Sequence, residues 1–399
     1  MRRDLELKKL GEICDFQGGS QPPKSNFIFE PREGFVRFLQ IRDFNSEKNV
    51  TYIPESNKNK YCNDDDILLG RYGASVGKIL INQSGAYNVA VMKTIPNEKI
   101  LIKRYLYYYL MSTDFQARLS KVASRSAQDG FSKDDIFDFP ILVPSLNNQQ
   151  RIVATLDEAF VAMNKAKANA ERNLKNAKEL FESYLQGVFM KGDWAQVKLS
   201  DMSKDITDGD HMPPPKSQEG LPFITISNIN KKNHQIDFTD TFKVPKQYFE
   251  KLKENRKPRK GDVLYTVTGS YGIPVLIEDD FEFCFQRHIG LIRPKDNVSS
   301  KWLYYWILSP QANLQAHETA TGTAQKTVSL TALRNFILPK MPIKEQQTIV
   351  QKLDTLSTKT QKLEAIYQQK INDLEELKKS VLQKAFNGEL SKNNLTMTI

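Results

Sequence analysis

Residues 147–190 read NNQQRIVATLDEAFVAMNKAKANAERNLKNAKELFESYLQGVFM, with no proline and a single glycine, Gly187. Apolar positions recur at steps of three and four: Ile152, Leu156, Ala159, Met163, Ala166, Ala170, Leu174, Ala177, Phe181, Tyr184 and Val188. The step from Ala170 to Leu174 repeats a four and acts as a stutter in a helical seam of nearly 3.5-residue period. Lys165, Lys167, Glu171, Arg172, Lys175 and Glu179 flank that seam. At a rise of about 1.5 Å per residue the stretch makes a rod of roughly 60 Å. A rod polar around most of its girth needs a partner along its seam.

The partner lies in the same chain. From Ile343 to about Asn387 proline and glycine are again absent, and Ile349, Leu353, Leu356, Leu363, Tyr367, Ile371, Leu374, Leu377 and Val381 mark a second seam. The two stretches open alike, with Asn148-Gln149-Gln150-Arg151-Ile152-Val153 against Glu345-Gln346-Gln347-Thr348-Ile349-Val350. They also close alike, with Leu185-Gln186-Gly187-Val188-Phe189 against Leu382-Gln383-Lys384-Ala385-Phe386. Both matches are displaced by 197 positions, Gln149 to Gln346 and Gln186 to Gln383, which points to an internal duplication.

The 399 residues suffice for two or three domains with their own cores, and the net charge of +10 allows a polyanionic partner. Charge alone fits a nucleic-acid binder and a merely soluble basic protein equally. Cys14, Cys62 and Cys284 form no close pair, so neither a disulfide framework nor a cysteine zinc site is expected. The start, Met1-Arg2-Arg3-Asp4-Leu5-Glu6, is charged and no apolar run approaches 18 residues, so a soluble, cytoplasmic protein without a membrane partner is expected.

The long stretches divide the chain into a block at 1–146, a helix at 147–190, a second block at 191–341, and a helix with a tail at 342–399. In the first block, apolar runs at Phe35 to Ile41, Ile67 to Leu69, Lys78 to Ile81 and Ala86 to Met92 read as strands between turns. A helical pattern runs from Tyr105 through Leu119, and its tyrosines either pack on the sheet or stack on bases, packing being the simpler reading. Pro140 and Pro144 bracket an extended Ile141-Leu142-Val143, with Ser145 or Asn147 as helix N-cap.

The second block returns the same landmarks in order. Lys9-Leu10-Gly11-Glu12 corresponds to Lys198-Leu199-Ser200-Asp201, and Phe16 to Lys24 corresponds to Thr207 to Lys216. Asp66-Ile67-Leu68-Leu69 before Arg71-Tyr72-Gly73 matches Asp262-Val263-Leu264-Tyr265 before Thr268 to Gly272. Lys301-Trp302-Leu303-Tyr304-Tyr305-Trp306 repeats the tyrosine helix, and Ile337 to Pro342 repeats the proline-bounded lead-in. Between these landmarks the loops differ in their Arg, Gln, Ser, Thr and Asn. Drift in surface loops explains that, and so do two modules that read different base edges.

No catalytic constellation emerges. Gly70 to Lys78 lacks GxGxxG and P-loop spacing; it either offers backbone NH groups with Arg71 or Lys78 to phosphates or is a glycine hairpin. Pro22-Pro23 and Pro213 to Pro215 do not complete the Asn-Pro-Pro-aromatic motif of adenine methyltransferases, and no Pro-Asp dipeptide starts a nuclease pattern. Asp64-Asp65-Asp66 reads as a solvated turn ahead of a strand rather than a Mg²⁺ site. His211, His234, His288 and His317 are scattered without ligand spacing, and only His211 and His288 fall near loops of interest. By elimination the chain recognises and does not catalyse, with no cofactor or metal of its own.

This layout resembles the specificity (S) subunit of type I restriction–modification enzymes. The resemblance spans essentially the whole chain and rests on Glu345-Gln346-x-x-Ile349-Val350 (Asn148 replaces Glu in the first copy), the Leu-Gln-x-x-Phe closures, and Asn387-Gly388-Glu389-Leu390. It implies an α+β chain: two similar mixed α/β target-recognition domains in an internal pseudo-two-fold repeat, separated by two long helices packed as an antiparallel coiled coil. Each domain would read one half of a bipartite asymmetric duplex DNA site, with the helices setting the spacer. Two methyltransferase (M) subunits carrying S-adenosylmethionine would dock, flip the adenine and methylate it, and restriction (R) subunits would complete the assembly.

Phosphate and base contacts are then expected, in the first domain, from Lys24, Arg42, Arg71, Tyr72, Ser75, Lys78, Arg125 and Gln128. In the second they are expected from His211, Lys216, Asn228, Thr268, Ser270, Tyr271, Arg287, Thr323, Gln325 and Lys326. Phe160 and Phe189 belong either to the helix pair's interior or to a docking surface. The competing readings are an architectural or regulatory DNA-binding protein that dimerises through its helices, and a self-sufficient DNA-modifying enzyme.

Overall fold

The computed structural model describes residues 5–44, 47–125, 130–190, 193–211 and 213–389. The chain forms two compact units, residues 1–170 with 369–399, and residues 171–368. Each unit combines one block with portions of both long helices, which run Leu146–Met190 and Ile343–Phe386.

In the first unit an antiparallel sheet has the strand order Cys14–Gly18, Val91–Pro96, Leu68–Gly70, Ile79–Leu80. Cys14 and Phe16 point inward and Asp15 outward, the period-two pattern of a half-buried strand. A second sheet orders Tyr52–Pro54, Phe35–Leu39, Gly85–Tyr87 and Tyr61–Cys62, its middle pair parallel. The lead-in Pro140–Pro144 pairs antiparallel with Leu5–Lys9, Leu5 facing Pro144.

Two expectations change here. The run Ala86 to Met92 is not one strand: Asn88 accepts from the Ala90 NH at 3.1 Å and turns the chain, sending each half to a different sheet. The tyrosine helix is also two helices, Lys103–Leu110 and Thr113–Ala123, because buried Ser112 caps the second by accepting from the Phe115 NH at 3.3 Å.

The second unit repeats the plan. Its main sheet orders Ser203–Asp208, Ile289–Pro294, Val263–Thr266 and Pro274–Leu276, all antiparallel. Its smaller sheet orders Phe242–Val244, Leu221–Ile224 and Cys284–Phe285, again with one parallel pair. Gln196–Lys198 pairs with Ile337–Pro339 beneath the second long helix. Even a half-buried ion pair recurs, Lys93 with Asp66 at 3.2 Å and Arg293 with Asp262 at 2.8 Å.

The two long helices meet antiparallel within each unit. In the first, Ile152, Leu156, Phe160 and Met163 share a core with Val381, Leu382 and Ala385, and Lys167 pairs with Glu375. In the second, Leu185 and Phe189 pack with Leu353, Ile349 and Val350. The seams depart locally from their sequence reading. Tyr184 is 38% exposed while Leu185 and Phe189 are buried, because a straight helix drifts away from a strict 3.5-residue repeat. Leu363 and Leu377 are exposed, and Thr360 is buried with its hydroxyl donating to the Leu356 carbonyl at 3.0 Å. Phe160 sits edge-on to Tyr108 and Phe189 edge-on to Trp302, so both lie in interiors.

A buried polar clamp fastens each block to its helix. Gln149 accepts from the Ile102 NH at 2.9 Å and donates to the Ile100 and Pro144 carbonyls at 2.7 and 2.9 Å. Gln346, equally buried, accepts from the Ser299 NH at 2.8 Å and donates to the Met341 carbonyl at 2.8 Å. Just over two helical turns further on, the Tyr108 hydroxyl donates to Asp157, which also pairs with Arg104 at 2.7 Å. Its counterpart Tyr305 donates to Asp354 at 2.6 Å, and Lys301 joins at 3.0 Å. Burial first, and the neighbouring carboxylate second, push both phenols up, so each stays a donor. Tyr105 and Tyr109 donate to the Leu142 and Pro140 carbonyls at 2.7 and 2.9 Å, so these tyrosines pack the helix with their hydroxyls at its edge.

Gln346→Leu leaves the Ser299 NH and the Met341 carbonyl unpaired and is expected to lower stability by about 2–4 kcal/mol in denaturant unfolding. Exposed Gln347→Leu should stay within about 0.5 kcal/mol of wild type. A second prediction concerns His234, whose burial holds its pKa below the ordinary 6.5. Its contribution to stability is therefore complete above about pH 6.5 and is lost as pH falls through the folded-state value. His234→Asn, which tolerates the positive φ of 56° at this position, should lose less stability than wild type between pH 7 and 5 in parallel thermal melts.

Candidate nucleic-acid interface

Each main sheet gathers four loops at one of its ends. In the first unit, Ser20 bridges Asn88, and Arg71 donates its backbone NH to the Ala90 carbonyl at 2.9 Å. Tyr72 bridges Gly130, and the Phe131 NH donates to the Arg71 carbonyl at 3.3 Å. In the second unit the counterparts are Asp210 bridging Gln286, Val267 donating to the His288 carbonyl at 2.9 Å, and Thr268 bridging Thr327. Backbone hydrogen bonds thus join these loops in both units.

Glycine makes the closest crossing possible. A Cβ on Gly19 would lie 2.1 Å from the Asn88 carbonyl oxygen, and one on Gly209 would lie 2.0 Å from that of Phe285. Only glycine lets these backbones approach so near.

The expected contact residues fall into three groups. Arg71 is committed to the loops themselves: Nε donates to the Phe131 carbonyl at 3.2 Å, Nη1 to that of Val89 at 3.5 Å, and its guanidinium lies over the Tyr72 ring at 5.1 Å. Tyr72 is partly exposed beneath it, with Ser75 and exposed Lys78 in the following turn. Arg125 is exposed at the end of its helix, and Lys24 is exposed in the turn Lys24–Asn26. Gln128 lies outside the described residues.

In the second unit Arg287, Thr323, Gln325 and Lys326 are exposed, and the Lys326 carbonyl accepts from the Gly269 NH at 2.9 Å. The amide of Gln325 lies beside Gly269. Ser270 accepts at its carbonyl from the Thr266 hydroxyl at 2.7 Å, and Tyr271 shares a hydrogen bond of 2.8 Å with His317 Nδ1. Lys216 is exposed with its ammonium over the Phe242 ring at 5.3 Å. His211 contacts Asp208 through Nε2 at 2.9 Å.

The third group holds the fold. Asn228 is buried; its carbonyl oxygen accepts from the Thr225 NH at 2.9 Å and its amide donates to the Asp240 carbonyl at 2.8 Å. Thr268 is buried, its hydroxyl 3.3 Å from that of Thr327. Arg42 donates to the Thr51 hydroxyl at 2.8 Å and stands near Asp43. Arg256, Tyr248 and His317 lie in no motif of the sequence, yet each holds a side chain of the second cluster. The signal available was the unneutralised pair Asp208 and Asp210 flanking an obligatory glycine.

Among the described residues no group of three His, Cys, Asp or Glu could hold a metal ion, and no helix is long and apolar enough to cross a membrane. All three cysteines are buried free thiols, with burial pushing Cys14 and Cys284 up to about 12 and Cys62 to about 11. They are therefore poor nucleophiles. Asp65 and Asp66 are engaged by Lys103, and Asp66 also by Lys93.

Residues 2–172 and 191–376 both match the family described as the type I restriction modification DNA specificity domain. The chain is 22% identical over 395 residues to the EcoBI type I restriction enzyme specificity subunit of Escherichia coli, covering 91% of this chain and 82% of that one. It is 22% identical over 416 residues to the MjaVIII specificity subunit of Methanocaldococcus jannaschii, covering 98% and 94%. Its fold is similar to that of the HsdS subunit from Thermoanaerobacter tengcongensis, with a TM-score of 0.61 and 19% identity over 98% of both chains. It is also similar to a chain solved in work on complex assembly and conformational transition of the type I R-M system, at a TM-score of 0.77 and 18% identity over 97% and 98%. With the family match repeated over both blocks, the chain belongs to the DNA specificity (S) subunits of type I restriction–modification enzymes.

Proposed function

We propose that the blocks at 1–146 and 191–341 are two target-recognition domains, each reading one half of a bipartite, asymmetric duplex DNA site. The observation that carries this is the pair of four-loop clusters, built on one backbone plan and furnished with different side chains. Equal frames suit the two-fold character of duplex DNA, and unequal side chains suit unequal half-sites. The long helices set the spacer between the halves and receive two methyltransferase (M) subunits, which bring S-adenosylmethionine and flip and methylate the adenine. Restriction (R) subunits join that assembly, and the working complex is cytoplasmic.

Within the clusters, exposed Arg125, Arg287, Thr323, Gln325, Lys326 and His211 are the groups offered to DNA, with Lys24, Lys78 and Lys216 on phosphates. Arg71 and Asn228 serve by shaping the loops.

Adding one four-residue helical turn near Ala170, matched around Tyr367, extends the helix pair by about 6 Å. Target selection by the M-containing complex should then show a spacer longer by about 1–2 base pairs with both halves unchanged; an unchanged spacer in a folded variant contradicts the helices' role. Arg287→Ala should leave stability within about 0.5 kcal/mol, weaken target binding by about 1–3 kcal/mol and relax one base position. A uniform loss on all duplexes with a shallower salt slope would instead assign Arg287 to a phosphate.

A further inference from the structure

The turn Asp208-Gly209-Asp210-His211 leaves the first strand of the second main sheet and is fixed by the Gly209 crossing and the Asp210–Gln286 bridge. Its two carboxylates straddle one guanidinium. Arg256 Nη2 lies 3.5 Å from Asp208 Oδ1, and Nη1 lies 3.7 Å from Asp210 Oδ1. The Tyr248 hydroxyl donates to Asp210 Oδ2 at 3.0 Å, and His211 Nε2 lies 2.9 Å from Asp208 Oδ2. Every carboxylate oxygen of the turn is thus engaged, and the side chain left outward is His211, 57% exposed.

The first unit solves the same problem differently. Its turn Gly18-Gly19-Ser20 has no carboxylate, and Arg71 reaches the neighbouring loops from the strand end, close enough that a Cβ on Gly18 would lie 3.2 Å from its Nη1. Two acidic groups on a surface that meets phosphates are repulsive unless a cation is held between them. Tyr248 comes from the helix Lys246–Lys251 and Arg256 from the turn Glu254–Arg256 that follows it.

We propose that Arg256 is a positioning residue for base discrimination by the second domain: bridging Asp208 and Asp210, it fixes the turn that presents His211 to the base edges. This rests on the reading of that domain as the reader of one half-site. A guanidinium suits the bridge because its two amino groups face two carboxylates at once; a lysine ammonium engages one.

The test is selection from pools of duplexes, one half-site randomised at a time, by the complex of this chain with its methyltransferase subunits. Arg256→Ala should cut discrimination at least ten-fold at one or two positions of one half, leaving the other half unchanged. His211→Ala should relax the same positions, and the double variant should relax them no further, since the two residues act as one unit. Arg256→Lys should recover overall binding without recovering that discrimination. If Arg256→Ala fails to fold, as seen in its melting profile, Asp208→Asn with Asp210→Asn removes the bridge and should alter the same half. An unchanged motif, equal losses in both halves, or different positions for Arg256 and His211 would overturn the proposal. A wild-type complex that selects no split motif would overturn the two-domain reading itself.

Discussion

Two buried glutamines and two tyrosine–aspartate pairs hold this architecture together. A block made largely of short strands and irregular loops has few ways to take a fixed orientation on a long helix. Apolar packing of Tyr108 on Phe160, or of Trp302 on Phe189, supplies attraction but little direction. Gln149 and Gln346 add direction: each satisfies backbone groups of the segment entering the tyrosine helix and of the proline-bounded lead-in. Losing either side chain leaves buried amide groups unpaired, which costs more than the net worth of the hydrogen bonds themselves. The Asp157 and Asp354 contacts, half open to solvent, contribute less energy and more register.

Because the clamp is duplicated, the loops at the far end of each sheet are free to differ. Substitutions at Tyr72, Arg125, Arg287 or Gln325 touch neither the Gln149 nor the Gln346 network. The frame thus separates the chemistry of staying folded from the chemistry of contact. Arg71 and Arg256 belong to an intermediate class, side chains near the contact surface whose partners are the protein's own carbonyls and carboxylates.

Much of this was legible in the sequence. The long helices follow from periodicity and from the absence of proline, and their bounds fall within a residue or so of the reading. The repeat was legible too, Tyr72 aligning with Thr268 and the segment after Ser124 with that after Thr321, but that these loops pair with each other, Tyr72 with Gly130 and Thr268 with Thr327, is set by the fold. What escaped was set by tertiary context. The split of the 86–92 run depends on one asparagine turn, and the seam's shift from Tyr184 to Leu185 depends on the difference between 3.5 and 3.6 residues per turn. Asn228 looks like a base-reading amide in sequence, yet its nearest carbonyl partner, Asp240, is twelve residues away. Arg256 carries no local signal because its two partners lie some fifty residues earlier.

The specificity role is tested most directly by sequencing the methylated adenines of a host carrying this gene with its partner methyltransferase, with and without this chain. Adenine methylation confined to one split, asymmetric motif that vanishes on deletion is the predicted result. Methylation at the same sites in the absence of the chain would contradict that role.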